Sequence, residues 1–137
     1  MSKRPNDSVS EGACPCGRGR PYAQCCGLYH AGPLAGQAPD PESLMRSRYS
    51  AFVLDLRPYL LETWHASTRP AELEPPEPGL KWLGLEVKRA GVLSDGRGEV
   101  EFVARSKWGG KAHRLHEHSE FVLEDGRWYY TRALNAL

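Results

Sequence analysis

Residues 81–91 read KWLGLEVKRAG. Leu83, Leu85 and Val87 alternate there with Gly84, Glu86 and Lys88, which is the period of two that sends alternate side chains to opposite faces of a sheet. The segment before it has a different rhythm. Met45, Tyr49, Phe52, Val53 and Leu56 recur at helical spacing and form one apolar stripe. The chain therefore changes from helix to strand near Leu80, and which side of that boundary a residue lies on decides the face it presents.

Working back from the boundary, Asp40 is placed to cap a helix, Pro41 suits its first position, and Glu42 complements its dipole. Pro58 interrupts the run and restarts a second helix, whose buried stripe of Leu60, Leu61 and Trp64 is expected to continue to about Ser67. The Pro-rich stretch AELEPPEPG then links helix to strand. Working forward, GEVEFVARSKW sets Val100, Phe102 and Ala104 on one face. HRLHEHSEFVLEDG follows, and Asp125-Gly126 makes a turn before RWYY. Two helices followed by four strands with short antiparallel connections predict an α+β domain, with helices packed on a curved antiparallel sheet.

The chain has 137 residues, enough for one core and a small appendage. A net charge of +1, with 26% charged and 40% hydrophobic residues, is ordinary for a globular protein and excludes a strongly charged overall surface. The opening residues MSKRPNDSVSEG hold no apolar run that could serve as a signal-peptide core, and no segment approaches the length of a membrane span. The expected compartment is the cytoplasm.

All four cysteines sit in CPCGRGRPYAQCCG, residues 14–27, as Cys14, Cys16, Cys25 and Cys26. A reducing compartment favours a metal site over disulfides, and adjacent or once-removed cysteines make poor disulfide partners. A ladder of two longer bridges would need oxidising surroundings. Four thiolates suit tetrahedral zinc, with an iron–sulfur cluster as the metal alternative. Gly17 and Gly19 allow the tight backbone such a loop needs, and Arg18 and Arg20 balance thiolate charge.

The pattern Cys-Pro-Cys-Gly, a basic middle and Cys-Cys-Gly resembles the SEC-C motif known from the tail of the translocase SecA. That resemblance implies a closed, structural Zn2+ site and a protein partner reached through Arg18, Arg20 and Tyr22. A second resemblance runs from Cys14 to about Leu134. LMRSRYSAFVLDLRPYLLETWHASTRP, WLGLEVKRA, GEVEFVARSKW and RWYY look like the small bacterial proteins of the YchJ family. Those proteins join a SEC-C knuckle to a cone-shaped, nuclear-transport-factor-2-like (cystatin-like) domain. The implied organisation is a disordered tail over 1–12, the knuckle over 13–30, a linker over 31–39 and the cone domain over 40–137.

In such cones, helices and a concave sheet face enclose a cavity. The parity of Leu115, Phe121 and Leu123 turns Glu117 and Ser119 inward, so a carboxylate is expected on the core side, where it needs a partner. Two partners offer themselves. Arg48 would make a structural tie between helix and sheet, and His65 would make an acid–base pair. Arg48, Trp64, His65, Glu117 and Ser119 are the expected pocket residues. His116 and His118 point outward with Glu120 nearby, and His113 falls on the other face, so a solvated strand outweighs a metal site there.

Three functions fit these residues. The leading one is an interaction module without catalysis, in which the zinc knuckle binds a protein and the cone binds a partner or small ligand. The second is a hydrolase or isomerase with His65 and Glu117 as catalytic candidates. The third is a nucleic-acid binder using the knuckle and the basic strand ends. No membrane contact is expected, and pairing into a homodimer through the sheet is compatible with the shape.

Overall fold

The computed structural model describes residues 12–136; all but the last residue of the expected tail lies outside them. After the cysteine loop come a short helix α1 (Gly27–His30), the main helix α2 (Pro41–Leu54) and a one-and-a-half-turn helix α3 (Arg57–Glu62). Four strands follow: β1 (Lys81–Val92), β2 (Arg97–Trp108), β3 (Lys111–Glu124) and β4 (Arg127–Ala136). They form one antiparallel meander in the order β1-β2-β3-β4. The arrangement is α+β, as the change of period implies.

Helix α2 begins where its capping residues dictate. The Asp40 side chain accepts the Ser43 backbone N–H at 2.7 Å, and Pro41 occupies the first turn. The β3–β4 hairpin turns on Asp125 and Gly126, both with positive φ, as the two-residue turn between right-twisted strands requires. The β2–β3 hairpin uses Gly109-Gly110 in the same way.

Three local expectations change. Helix α3 stops at Glu62 rather than near Ser67, because the chain leaves the helix to bond β4: Tyr130 N–H donates to Thr63 O at 2.8 Å and His65 N–H to Tyr130 O at 2.7 Å. Strand β1 does not alternate cleanly. Register shifts lie between Trp82 and Gly84 and between Val87 and Arg89, and Leu83, caught in the first, is 57% exposed. On β3, Ser119 and Phe121 are fully buried, whereas Leu115 and Leu123 share their parity yet stay largely exposed toward the strand ends.

One hydrophobic core joins the two parts of the chain. Cys14, Cys16, Cys25 and Cys26 belong to the same buried cluster as Leu44, Met45 and Tyr49 of α2 and Phe102, Phe121 and Trp128 of the sheet. The knuckle is therefore packed on the domain. The stretch between them is drawn in as well, with Ala38 buried and Gly36 N–H bonded to Tyr29 O at 2.9 Å.

Candidate functional site

The cysteine loop closes on itself before it meets the helix. Cys14 N–H donates to Arg20 O at 2.8 Å and Tyr22 N–H to Gly12 O at 2.9 Å, while Gly17 and Gly19 take positive φ between them. All four thiols are buried, none is bonded to another, and their sulfur atoms lie within 4.8 Å of one another. The Cys16 and Cys25 sulfurs are 3.6 Å apart. Four sulfurs at about 2.3 Å from a tetrahedral ion stand about 3.8 Å from each other, so the donor set fits a single metal ion. Crowding four thiols in a buried space also splits their acidities. Hydrogen bonds from Cys16 and Cys26 drive Cys14 down, whereas burial and the neighbouring sulfurs push Cys25 up to about 11. A cation between them removes that conflict. Among the described residues no other group of three or more His, Cys, Asp or Glu side chains is placed to hold a metal.

A line of serines explains how the knuckle comes so close to α2. Ser43, Ser47 and Ser50 recur at helical spacing on one face and are buried. Ser50 Oγ lies 3.5 Å from Cys14 Sγ, and Ser43 Oγ accepts from Arg18 Nη1 at 3.1 Å. Arg46 Nη1 donates to Cys16 O at 2.8 Å, and Glu42 draws both Arg18 and Arg46. His30 completes the joint. Its Nε2–H donates to Ser47 O at 2.8 Å, which leaves Nδ1 to accept the Tyr22 hydroxyl at 2.6 Å. Burial pushes His30 below the usual imidazole range, in keeping with a neutral ring.

These contacts correct the expected recognition surface. Arg18 and Tyr22 are half-buried and engaged within the chain: one is tied to Ser43 and Glu42, the other packs against the core with its hydroxyl on His30. Of the three residues expected to face a partner, Arg20 alone is exposed. Of the apolar stripe legible in the sequence, Met45 and Tyr49 are buried, Phe52 is exposed at the cavity and Leu56 lies beyond α2, whereas the serine line and His30 fall outside that pattern. The signal was there in Ser43, Ser47 and Ser50 at spacings of four and three.

A cavity of about 290 Å³ opens between α2 and the concave sheet face. Tyr49, Phe52 and Trp82 wall one side, with Tyr49 and Trp82 edge to face at 5.5 Å. Trp64 and Tyr130 wall another, edge to face at 5.1 Å. Arg48, Glu117 and Ser119 supply polar groups to an otherwise apolar lining. Arg48 is 3% exposed; its guanidinium lies 4.7 Å from the Tyr130 ring and 5.3 Å from the Trp64 ring. Its Nη1 donates to Leu60 O at 2.8 Å and to Thr63 Oγ1 at 2.7 Å. Burial pushes Arg48 down to about 10, which leaves it charged at neutral pH, and nearby Glu117 opposes the shift. Ser119 Oγ donates to Glu117 Oε2 at 2.6 Å. Tyr130 is pushed up to about 12, first by burial and then by the Glu117 charge.

Arg48 and Glu117 thus share the cavity, yet Arg48 spends its recorded hydrogen bonds on the end of α3 rather than on the carboxylate, so the expected direct tie is absent among the described residues. The His65–Glu117 pair is also corrected. His65 follows the end of α3 and lies over β4, edge to face with Tyr129 at 5.8 Å. Its Nε2 bonds Glu124 Oε2 at 3.0 Å and its Nδ1 bonds Ser67 Oγ at 2.8 Å. Ser67 and Glu124 were not anticipated. Their Ser–His–Glu relay borders a separate groove with Thr68, Glu120 and Arg132. It lies on the surface, where water competes for every polar contact. On the outer sheet face His116 pairs with Glu101 at 2.7 Å and His118 with Glu99; His113, of the opposite parity, stacks on Trp108 at 4.2 Å.

A four-cysteine knuckle packed on a helix-over-sheet domain with an aromatic cavity defines a class of protein, and comparison with known chains agrees. Residues 13–28 match the family model described as the SEC-C motif, and residues 40–133 match that of the YchJ middle NTF2-like domain. A UPF0225 protein of Bordetella bronchiseptica is 58% identical over 130 residues, covering 95% of this chain and 96% of its own. Another, from Methylibium petroleiphilum, is 64% identical over 117 residues, covering 85% and 84%. The chain belongs to this YchJ, or UPF0225, family. Among solved structures, the solution structure of a SEC-C motif containing protein from Rhodopseudomonas palustris superposes with a TM-score of 0.76 at 34% identity, covering 90% of this chain and 98% of that one. The crystal structure of a SEC-C motif containing protein from Psychrobacter arcticus gives 0.75 at 28%, covering 94% and 85%. No helix among the described residues is long and apolar enough to cross a membrane.

Proposed function

We propose that this protein binds a small, mostly apolar molecule in the cavity beneath α2, and that a zinc ion in the knuckle braces the helix forming one cavity wall. The observation that carries the first half is the cavity itself: an open, aromatic-walled space of about 290 Å³ that keeps a buried guanidinium and a carboxylate at its lining. Buried charge is costly, and the bonds of Arg48 to Leu60 O and Thr63 Oγ1 use only one nitrogen of its guanidinium. Ligand sites have this composition, apolar walls with a few placed polar groups. The second half rests on the four clustered sulfurs and on the bonds that join knuckle and helix, from Arg18 and His30 to α2 and from Arg46 of α2 to Cys16 O. Four protein ligands would saturate zinc, leaving it a structural ion.

Cavity binding is tested by titrating indole, quinoline and naphthalene while following the methyl resonances of Met45 and Ala104, both at the lining. The expected result is a saturable shift confined to cavity residues and lost in a folded Ala104→Phe variant. Unmoved resonances for all of the compounds would remove the proposal. For the metal, elemental analysis of protein purified without added ions should return one zinc per chain, and none for Cys16→Ser with Cys25→Ser. Iron in its place, or no metal, would overturn the zinc assignment.

A partner-binding role for the knuckle has a narrower footing. It would fall to Arg20 and the exposed Leu28 of α1, since Arg18 and Tyr22 are engaged within the chain. Reversing the charge of Arg20 alone should then abolish partner capture while leaving the metal content unchanged.

A further inference from the structure

The cavity's own chemistry narrows what it can hold, provided the binding function proposed above is right. Three observations set the limits. The first is size: an engineered cavity of roughly 150 Å³ holds one benzene, and about 290 Å³ is close to twice that, room for a fused two-ring system. The second is shape. Tyr49 and Trp82 on one side and Trp64 and Tyr130 on the other present ring faces and edges, which pack best against a flat partner.

The third is charge. Arg48 brings a cation and Glu117 an anion to the same lining, so the cavity is compensated before any ligand enters. An anionic ligand would meet Glu117 between apolar walls, and a cationic one would meet Arg48. Such like-charge contacts are among the most effective ways to exclude a wrong partner. A neutral ligand avoids both costs. It can also use both groups. Arg48 bonds Leu60 O and Thr63 Oγ1 through Nη1, which leaves Nε and Nη2. Glu117, which already accepts Ser119 at Oε2 and has the Tyr130 hydroxyl beside it, still has lone pairs for one more donor.

We infer that the cavity selects an uncharged, flat, two-ring ligand whose polar edge sets a hydrogen-bond acceptor toward Arg48 beside a donor toward Glu117. Primary carboxamides, lactams and heteroaromatic rings with an amide edge have that pattern. Carboxylic acids and alkylamines of the same size do not, since both are ionised at neutral pH.

The test uses the full-length, metal-loaded protein at pH 7.5 and four probes sharing one ring system: naphthalene, 2-naphthamide, 2-naphthoate and 2-naphthylmethylammonium. Calorimetry should rank 2-naphthamide first, at least about tenfold tighter than either ion, with naphthalene between. Glu117→Gln should then leave Arg48 uncompensated and tighten 2-naphthoate at least about tenfold over its wild-type value. An ion ranking first in the wild type would overturn the inference, as would an unchanged order in a folded Glu117→Gln variant. Equal binding of naphthalene and 2-naphthamide would refute the polar edge while keeping the cavity as a binding site. Failure of every probe, naphthalene included, would remove both the inference and the function on which it rests. The wild-type ranking decides the matter even if Glu117→Gln does not fold.

Discussion

Arg48 is a charged residue whose removal should hurt through its partners rather than its charge. Its Nη1 satisfies the Leu60 carbonyl near the end of α3 and the Thr63 hydroxyl just beyond it. Arg48→Met keeps most of the side-chain volume but leaves the Leu60 carbonyl without that donor in a buried setting, a loss of about 1–3 kcal/mol. Urea unfolding should show that decrease. Arg18→Ala removes a part-exposed ion pair with Glu42 at 3.5 Å and the bond to Ser43 Oγ at 3.1 Å, and should cost about 1 kcal/mol. An Arg48→Met protein as stable as the wild type would show that the guanidinium serves the ligand alone. The sequence revealed Arg48 and Glu117 as candidates because strand parity at Glu117 is a local property. It could not reveal that Arg48 reaches for α3, since that depends on how the two helices dock.

Elements differ in how much of their placement is written locally. Helix α2 was legible because Asp40 and Pro41 fix its start, and the β3–β4 hairpin because Asp125-Gly126 fixes its turn. Helix α3 was not, because its end is set by a distant bridge from Trp64 to Tyr130. The same bridge decides where His65 goes: a helix extended past Glu62 would aim it at the sheet, whereas the bridge lays it beside Glu124. The contact between α2 and β2 has a similar hidden condition at Gly98. A Cβ there would stand 2.4 Å from Pro41 Cγ and 3.3 Å from Gly91 O. Gly98→Ala must therefore shift the first turn of α2, and overpacking of this kind costs about 1–3 kcal/mol. Gly91→Ala, on the neighbouring strand, meets nothing within 4 Å and should be close to neutral in the same unfolding measurement. Equal stabilities would mean that α2 is free to move off the sheet, which would also loosen the cavity it covers.

At the scale of the whole molecule, the question is whether the knuckle is an appendage or part of the core. An appendage that lost its metal would unravel alone. Here the four cysteines share a buried cluster with Leu44, Met45 and Tyr49; Arg18 and His30 reach α2 from the knuckle side, and Arg46 of α2 donates back to Cys16 O. Metal binding by such a loop supplies folding free energy, and any part of it transmitted to α2 stabilises the cone domain. The domain carries its own reporters, since all four tryptophans lie beyond residue 63. Chelation should therefore lower the thermal midpoint seen by tryptophan emission, by on the order of 10 °C if a few kcal/mol are transmitted. Arg46→Ala, which cuts the bond to Cys16 O without touching a thiol, should retain the metal yet shrink the shift that chelation produces. A tryptophan transition indifferent to the chelator would show that the knuckle folds and unfolds on its own. The proposed bracing of the cavity wall would then have no energetic basis, because a helix that does not sense the metal cannot be held in place by it.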